Sequence, residues 1–343
     1  MADKPINLQT IAKMAHVSKV TVSNVVNGKY DKASKETIER IQKIIEVTGY
    51  RPSATARSLS MKQSHIIGVV IPYLYAQEPF SVRPYNAHML GYLERYIRQQ
   101  GYYMMPRCVA ESFDALPDFA TWNVDGAFVL DLVAEDALRL QDKLNIPAVF
   151  IDTYANYASL ATIGVDDYKG GYLAANHLVD KGHRRIAFVS PTLTEHAGVM
   201  QERYRGFTDA LRERGVAFGP ENCVVTESVL YDQGVEAGGQ IAASALGFTA
   251  VAAMADMLAF GVMEGLRRGG KQVPEDVSVM GFDDLPECRY THPQLTSISQ
   301  HLEEKAQCAG EYLFSMLRDG VTLTGNRKVD VALKERQSVR ALE

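Results

Sequence analysis

Along the first fifty residues, apolar side chains fall at helical spacing. Leu8, Ile11, Ala12 and Ala15 sit at i, i+3, i+4 and i+7, one face of a short helix. Ser18 follows as a natural N-cap, offering a side-chain oxygen to the first free amides of a second helix. Val17 just before that cap and Val22 inside the helix can close a hydrophobic staple. In the second helix Val22, Val25 and Val26 face inward, which leaves Lys19, Val20, Thr21, Ser23, Asn24 and Asn27 to be divided between solvent and a partner. A third helix is signalled by Ser34 as cap, Ile38, Ile41 and Ile45 along one face, and Gly49 as terminator. Two short amphipathic helices joined by a tight turn are the unit that helix-turn-helix proteins tip into a major groove. The same pattern also occurs in proteins that never meet DNA.

After Gly49 this rhythm stops. Pro52 breaks the helix, and residues 53–59 leave room for one short helix, too short to persist alone in water because nucleation is costly. Residues 51–64 are therefore either a plain interdomain linker or a segment that orders when packed against something. From His65 onward continuous apolar runs appear at Ile66–Ile71, Ala127–Leu130, Ala148–Ile151, Ile186–Val189, Ala250–Met254 and Val277–Met280. Runs apolar on both faces suit parallel strands buried between helix layers. Amphipathic stretches such as Asn86–Gln99, Gly170–Lys181, Gln201–Arg214, Gln233–Ala245, Leu258–Arg268 and Glu303–Arg318 lie between them. The chain thus reads as a small all-α helix-turn-helix head plus an α/β body, doubly wound. Periodicity alone does not fix the number of sheets.

Charge sharpens the reading of the head. Residues 1–60 carry ten Lys or Arg against five Asp or Glu, while the whole chain is −5, so the rest is −10. A small basic head on an acidic body points to a nucleic-acid contact made by the head. At 343 residues and 46% hydrophobic composition there is ample core for two or three domains. No stretch approaches the apolar length of a membrane helix, and helices occupy the place of an export signal, so a cytoplasmic protein without membrane partners is expected. Cys108, Cys223, Cys288 and Cys308 are far apart with no CxxC spacing, which suits reduced thiols rather than zinc. His177 and His183 are read as packing and hydrogen-bonding residues, with no third ligand for a metal.

The stretches IAKMAHVSKVTVSNVVNG and SKETIERIQKIIEVTGYRPSATARSL resemble the lactose-repressor/galactose-repressor (LacI/GalR) transcription factors, and the resemblance runs over essentially the whole chain. It implies two doubly wound parallel-sheet subdomains of periplasmic-binding-protein-like type with ligand in the cleft between them. The implied division is 1–50 for the head, 51–64 for a hinge helix and 65–343 for the effector-binding body. Within the body, the N-subdomain would take about 65–163 plus 292–324 and the C-subdomain about 164–291 plus 325–343. Lys19 and Val20 match the family's base readers, and Ser18, Thr21, Ser23, Asn24 and Asn27 complete the expected DNA face. Asn24 departs from the usual arginine; it either pairs with adenine in a bidentate fashion or makes no base contact. In the hinge, Leu59 matches the leucine that wedges into a base step from the minor groove, with Ala56 against the groove floor.

Ligands of open α/β sheets sit outside the C-terminal ends of the strands. There the chain places Pro72-Tyr73, Asp152, Ser190-Pro191, Ala255-Asp256 and Gly281 to Asp284. By resemblance Arg203 and Asp283 clamp effector hydroxyls or a carboxylate, Asp152 is a further polar cleft residue, and Tyr231 stands where a stacking aromatic would be. The physics suits a sugar: Asp accepts from adjacent hydroxyls, Arg donates a fork of hydrogen bonds, and a ring packs under C–H groups. Against that, Arg203 could be a surface salt-bridge partner and Asp284 a turn cap. Ala255 stands where the family commonly has Asn, and the loop from Pro72 to Tyr85 is rich in rings, with Tyr73, Tyr75 and Phe80 beside Arg83; these either shape the pocket or cover the subdomain surface. The expected effector residues are therefore Tyr73, Phe80, Asp152, Arg203, Tyr231, Asp256 and Asp283.

The expectation is a repressor acting as a homodimer on a pseudo-palindromic operator, without a cofactor, and controlled by a small molecule, first a carbohydrate and then a sugar phosphate or nucleobase. The C-terminal stretch leaves no room for the extra heptad helix that makes some members tetramers. An enzyme is the alternative from another class, but GxxxxGK[ST], GxSxG, HExxH and GxGxxG are all missing from the sequence. A sugar-binding transport protein is a third, opposed by the basic head.

Overall fold

The computed structural model describes residues 6–50, 63–72, 83–109, 123–132, 134–153, 159–191 and 198–342. Ala56, Leu59, Tyr73 and Phe80 lie outside the described residues. Two compact units emerge, the head up to His65 and the body from Ile66.

The head is three helices, α1 (Leu8–Met14), α2 (Lys19–Val26) and α3 (Lys35–Thr48). Asn7, Ser18 and Ser34 cap them, each accepting a backbone N–H three residues on, and Gly49 closes α3 in the left-handed conformation at φ 62°. Ile11, Ala12, Ala15, Val22, Val25 and Ile41 form its core, with Leu8, Val17, Val26, Ile38 and Ile45 packed around them. Asn7 is a cap that the periodicity of α1 did not reveal.

Among the described residues, the body holds two six-stranded sheets. In the first, β1 (Ile66–Pro72), β2 (Tyr103–Val109), β3 (Gly126–Leu130), β4 (Ala148–Ile151), β5 (Ala161–Val165) and β11 (Gly325–Val329) run parallel in the order β11-β5-β4-β3-β1-β2. The second comprises β6 (Ile186–Pro191), β7 (Cys223–Thr226), β8 (Ala250–Ala253), β9 (Ser278–Asp283), β10 (Thr296–Ser299) and β12 (Ala332–Lys334), ordered β12-β10-β9-β8-β6-β7. Only its edge strand β12 is antiparallel. The helices are α4 (Pro84–Gln99), α5 (Ala134–Lys143), α6 (Asp167–Asp180), α7 (Val199–Glu213), α8 (Tyr231–Ala243), α9 (Asp256–Arg268) and α10 (Leu302–Asp319).

The chain changes sheet after β5, after β10 and after β11, that is after Val165, Ser299 and Val329. The first change falls two residues beyond the expected 163. The other two fall later than 291 and 324, because β10 pairs with β9 (Thr296 beside Met280) and β11 with β5 (Gly325 beside Ala161). Neither strand carries an apolar run. β10 reads TSIS and is buried all the same, its hydroxyls accommodated by hydrogen bonds such as Ser297 Oγ to Asp256 Oδ1 at 2.6 Å.

Helices α6 and α7 meet backbone to backbone. A Cβ on Gly171 would lie 1.9 Å from the Arg203 carbonyl oxygen, and one on Gly206 1.9 Å from that of Tyr168. Only glycine permits this approach, and it sets where Arg203 enters the body. Gly171→Ala is therefore expected to lower the unfolding free energy of the body by about 1–3 kcal/mol or more through forced separation of the helices. Urea unfolding measures this, and an unchanged midpoint would contradict the crossing.

Candidate functional site

In the head, Ser18 Oγ accepts from Thr21 N at 3.0 Å and lies 2.9 Å from Thr21 Oγ1. Asn27 Nδ2 donates to Ser23 Oγ at 3.3 Å. Ser18, Lys19 and Val20 are exposed at the start of α2, whereas Thr21, Ser23, Asn24 and Asn27 are half-buried along it. Val20 is an apolar side chain 67% open to solvent, which its own core does not require.

In the body, the C-terminal ends of both sheets open on a cavity of about 110 Å³. Its lining draws Arg83, Tyr85, Asn86, Asp131 and Asp152 from the first sheet's side, and Met200, Arg203, Ala255 and Asp283 from the second's, with Gln300 after β10. Arg203 is buried: its Nε donates to Asp167 Oδ1 at 2.7 Å, its Nη1 to the Met254 carbonyl at 2.7 Å, and its Cζ stacks 3.6 Å from the Phe282 ring centre. This excludes the surface salt-bridge reading. On the opposite wall Lys305 Nζ donates to Asp152 Oδ1 at 2.7 Å, Gln300 Oε1 at 2.6 Å and the Tyr85 hydroxyl at 2.9 Å. The Tyr85 hydroxyl in turn donates to the other Asp152 oxygen. Gln300 Nε2 donates to Asp283 Oδ1 at 2.5 Å.

Three aspartates end strands at this cavity, Asp131 after β3, Asp152 after β4 and Asp283 closing β9, with φ of 47°, 58° and 128°. Backbone strain of this kind in non-glycine residues is held in place by its surroundings and concentrates at ligand sites. Burial, and then the neighbouring Asp256, push the Asp283 carboxyl up to about 8, against the pull of Arg203. Burial followed by Asp152 raises Asp131, with Arg83 pulling it down. The Tyr85 phenol is held well above its usual range by burial and then by Asp152.

The lining thus gathers Asp152, Arg203 and Asp283 of the residues read from the sequence. It does not include Asp256 or Tyr231. Asp256 is fully buried behind the cavity, where Oδ2 accepts from Leu285 N at 2.8 Å and Cys288 Sγ at 3.1 Å, and Oδ1 from Ser297. Its place at the first turn of α9 makes it scaffolding for that loop, and burial raises its carboxyl to about 6. Tyr231 starts α8 with 37% of its surface exposed, and Val229 faces the cavity instead. Asp284 pairs with Arg336. His183 bonds Thr249 Oγ1 and the Arg340 carbonyl, both at 3.1 Å. The sequence reading missed Asp131, Gln300 and Lys305. Asp131 carried a signal, since AFVLD ends as AVFID and VMGFD do. Lys305 carried another, falling on the inward face marked by Leu302, Ala306, Ala309 and Leu313.

Known proteins match both parts. The sequence model of bacterial regulatory proteins of the lacI family matches residues 7–53, and that of the periplasmic binding protein-like domain matches residues 175–339. The HTH-type transcriptional repressor PurR of Vibrio vulnificus is 31% identical over 319 residues, 91% of this chain and 92% of that one. The ribose operon repressor of Haemophilus influenzae is 27% identical with the same two coverages. Among solved structures, the lac repressor dimer bound to operator and the anti-inducer ONPF is similar at a TM-score of 0.85 and 25% identity, covering 98% of this chain and 100% of that one. A LacI family regulator from Enterococcus faecium with bound ribose is similar at 0.70 and 25%, over 81% of this chain and 100% of that one.

The raised carboxyl of Asp283 ties stability to pH. Its native state keeps a proton that the unfolded chain gives up near pH ~4, so its contribution is complete below about pH 4 and is lost as pH rises through about 8. Asp283→Asn keeps an acceptor for Gln300 and removes the titration. Urea unfolding on either side of neutrality is expected to show a smaller loss of stability with rising pH in the variant; equal slopes would exclude the raised carboxyl.

Proposed function

The chain belongs to the LacI family of bacterial regulatory proteins, and on that premise we propose how its head and cleft divide the work of an effector-controlled repressor. It is a DNA-binding transcriptional repressor whose operator affinity answers to a small molecule, and it acts as a homodimer on operator DNA. A cytoplasmic location follows from that role, and family members are regulators rather than enzymes.

For the head, the exposed start of α2 supports Lys19 and Val20 as base readers, with Ser18 fixing the helix end and Thr21, Ser23, Asn24 and Asn27 along the same approach. Asn24 takes the bidentate adenine role. Ala56 and Leu59 are proposed as the minor-groove contacts of the hinge.

For the cleft, the proposed effector is a small neutral polyol, a sugar in the first instance. One observation carries this reading: the two most deeply buried cations at the cavity, Arg203 and Lys305, already have an acid each. Arg203 is paired with Asp167, Lys305 with Asp152, and Arg83 attracts Asp131 across the lining. A phosphate or carboxylate would need an uncommitted cation or backbone donors. Asp131, Asp283 and Gln300 instead suit hydroxyls. The ligand acts by binding one state of the dimer better than the other.

Operator sites selected from random DNA, followed by fluorescence anisotropy with neutral sugars, sugar phosphates and nucleobases, test both halves. A neutral sugar is expected to change operator affinity by roughly 5–150-fold. A response to sugar phosphates or nucleobases alone would overturn the polyol reading. In the same assay Asn24→Ala should cost about 1–3 kcal/mol of discrimination at one adenine-bearing base pair. Uniform weakening across sequences would remove Asn24 from base readout.

A further inference from the structure

Lys305 is fully buried on α10, among Leu302, Ala306 and Ala309, where an unpaired ammonium would be prohibitively unstable. All three of its donors are used, on Asp152, Gln300 and the Tyr85 hydroxyl. This arrangement has two consequences for the cavity. First, Asp152 lines the cleft, but its charge is cancelled from behind and both its oxygens already accept, one from Lys305 and one from Tyr85. Second, an ammonium can only donate, so Gln300 must turn its amide oxygen toward Lys305. Its nitrogen is thereby directed at Asp283 on the other wall. One buried cation thus governs the charge of the first wall and the donor pattern offered to the second.

We propose that Lys305 is a specificity-determining residue of the effector cleft: by compensating Asp152 and orienting Gln300, it makes the cleft select uncharged polyols over their cationic, amine-bearing analogues. It is a positioning residue, acting on the ligand through Asp152 and Gln300. The proposal rests on the neutral-polyol reading above. Without the Lys305 charge, Asp152 becomes an uncompensated carboxylate facing the ligand and favours an ammonium there.

The test is calorimetric titration of the full-length protein with pairs of ligands. Each pair is a neutral pentose, hexose or disaccharide and the analogue with one hydroxyl replaced by an amine. The parent is expected to prefer the neutral member. Lys305→Met should shift the neutral-to-amine affinity ratio toward the amine by on the order of tenfold or more. Lys305→Arg, which keeps the charge, should retain the parent's preference. The double variant Lys305→Met/Asp152→Asn, which has no unpaired charge, should restore preference for the neutral sugar. It also provides a folded comparison if the single variant, with its buried lone carboxylate, does not fold. A purely structural lysine would weaken both members of a pair alike, and an unchanged ratio in Lys305→Met, or an amine preference persisting in the double variant, would overturn the proposal. A parent protein that binds no neutral sugar but binds a sugar phosphate would instead overturn the polyol reading itself, before any variant is compared.

Discussion

Charge held away from water is the constraint around which the body is arranged. Removing a guanidinium or an ammonium from water costs several kcal/mol unless a partner stands within hydrogen-bonding distance. Arg203 meets this condition with Asp167, the Met254 carbonyl and the face of Phe282; Lys305 meets it with Asp152, Gln300 and Tyr85. These partners come from different elements, so each pair fixes several pieces of backbone at once. Asp167 opens α6, Arg203 lies on α7, and Met254 follows β8; the glycine contact between α6 and α7 is what lets the guanidinium reach both.

The aspartates that end β3, β4 and β9 add a second constraint. A side chain in the left-handed region is unfavourable except where the surroundings insist on it, and aspartate tolerates it better than most. At the end of a strand this conformation turns the chain sharply. Asp131 and Asp152 make this move at the ends of β3 and β4, and Asp283 closes β9 at a different positive φ, so the acceptor groups at the cavity are set by backbone geometry before any ligand arrives. Preorganisation of this kind reduces the ordering cost of binding.

Much of this was legible in the chain, and the boundary between what was and was not has a physical basis. Helices of the head and the central strands announced themselves because each buries a continuous apolar face: Ile11 and Ile41, or the run Ala148–Ile151, leave no doubt about where the core lies. β10 and β11 did not, since TSIS is buried through hydrogen bonds rather than apolarity and GNRKV is a polar edge. The same reason separates Arg203 and Asp283, found through family resemblance, from Lys305, whose role depends on contacts with Asp152 and Tyr85 across more than a hundred residues of sequence, and from Gln300, which follows a strand without an apolar run. Asp256 was misplaced by the strand-end rule because that rule locates a residue's backbone; its side chain points back toward Leu285 and Ser297 instead of outward.

The late return of the chain to both sheets orders events in time. β11 and β12, residues 325–334, supply an edge of each sheet, so neither six-stranded sheet is complete until almost all of the chain has left the ribosome. The head, by contrast, draws its whole core from Ile11 to Ile41 and its last cap from Gly49. Domains generally fold as units while the chain emerges, the N-terminal ones first. A nascent chain therefore carries a finished three-helix head for most of its synthesis while its sensor is still in pieces, and the capacity to be regulated is the last property the molecule acquires.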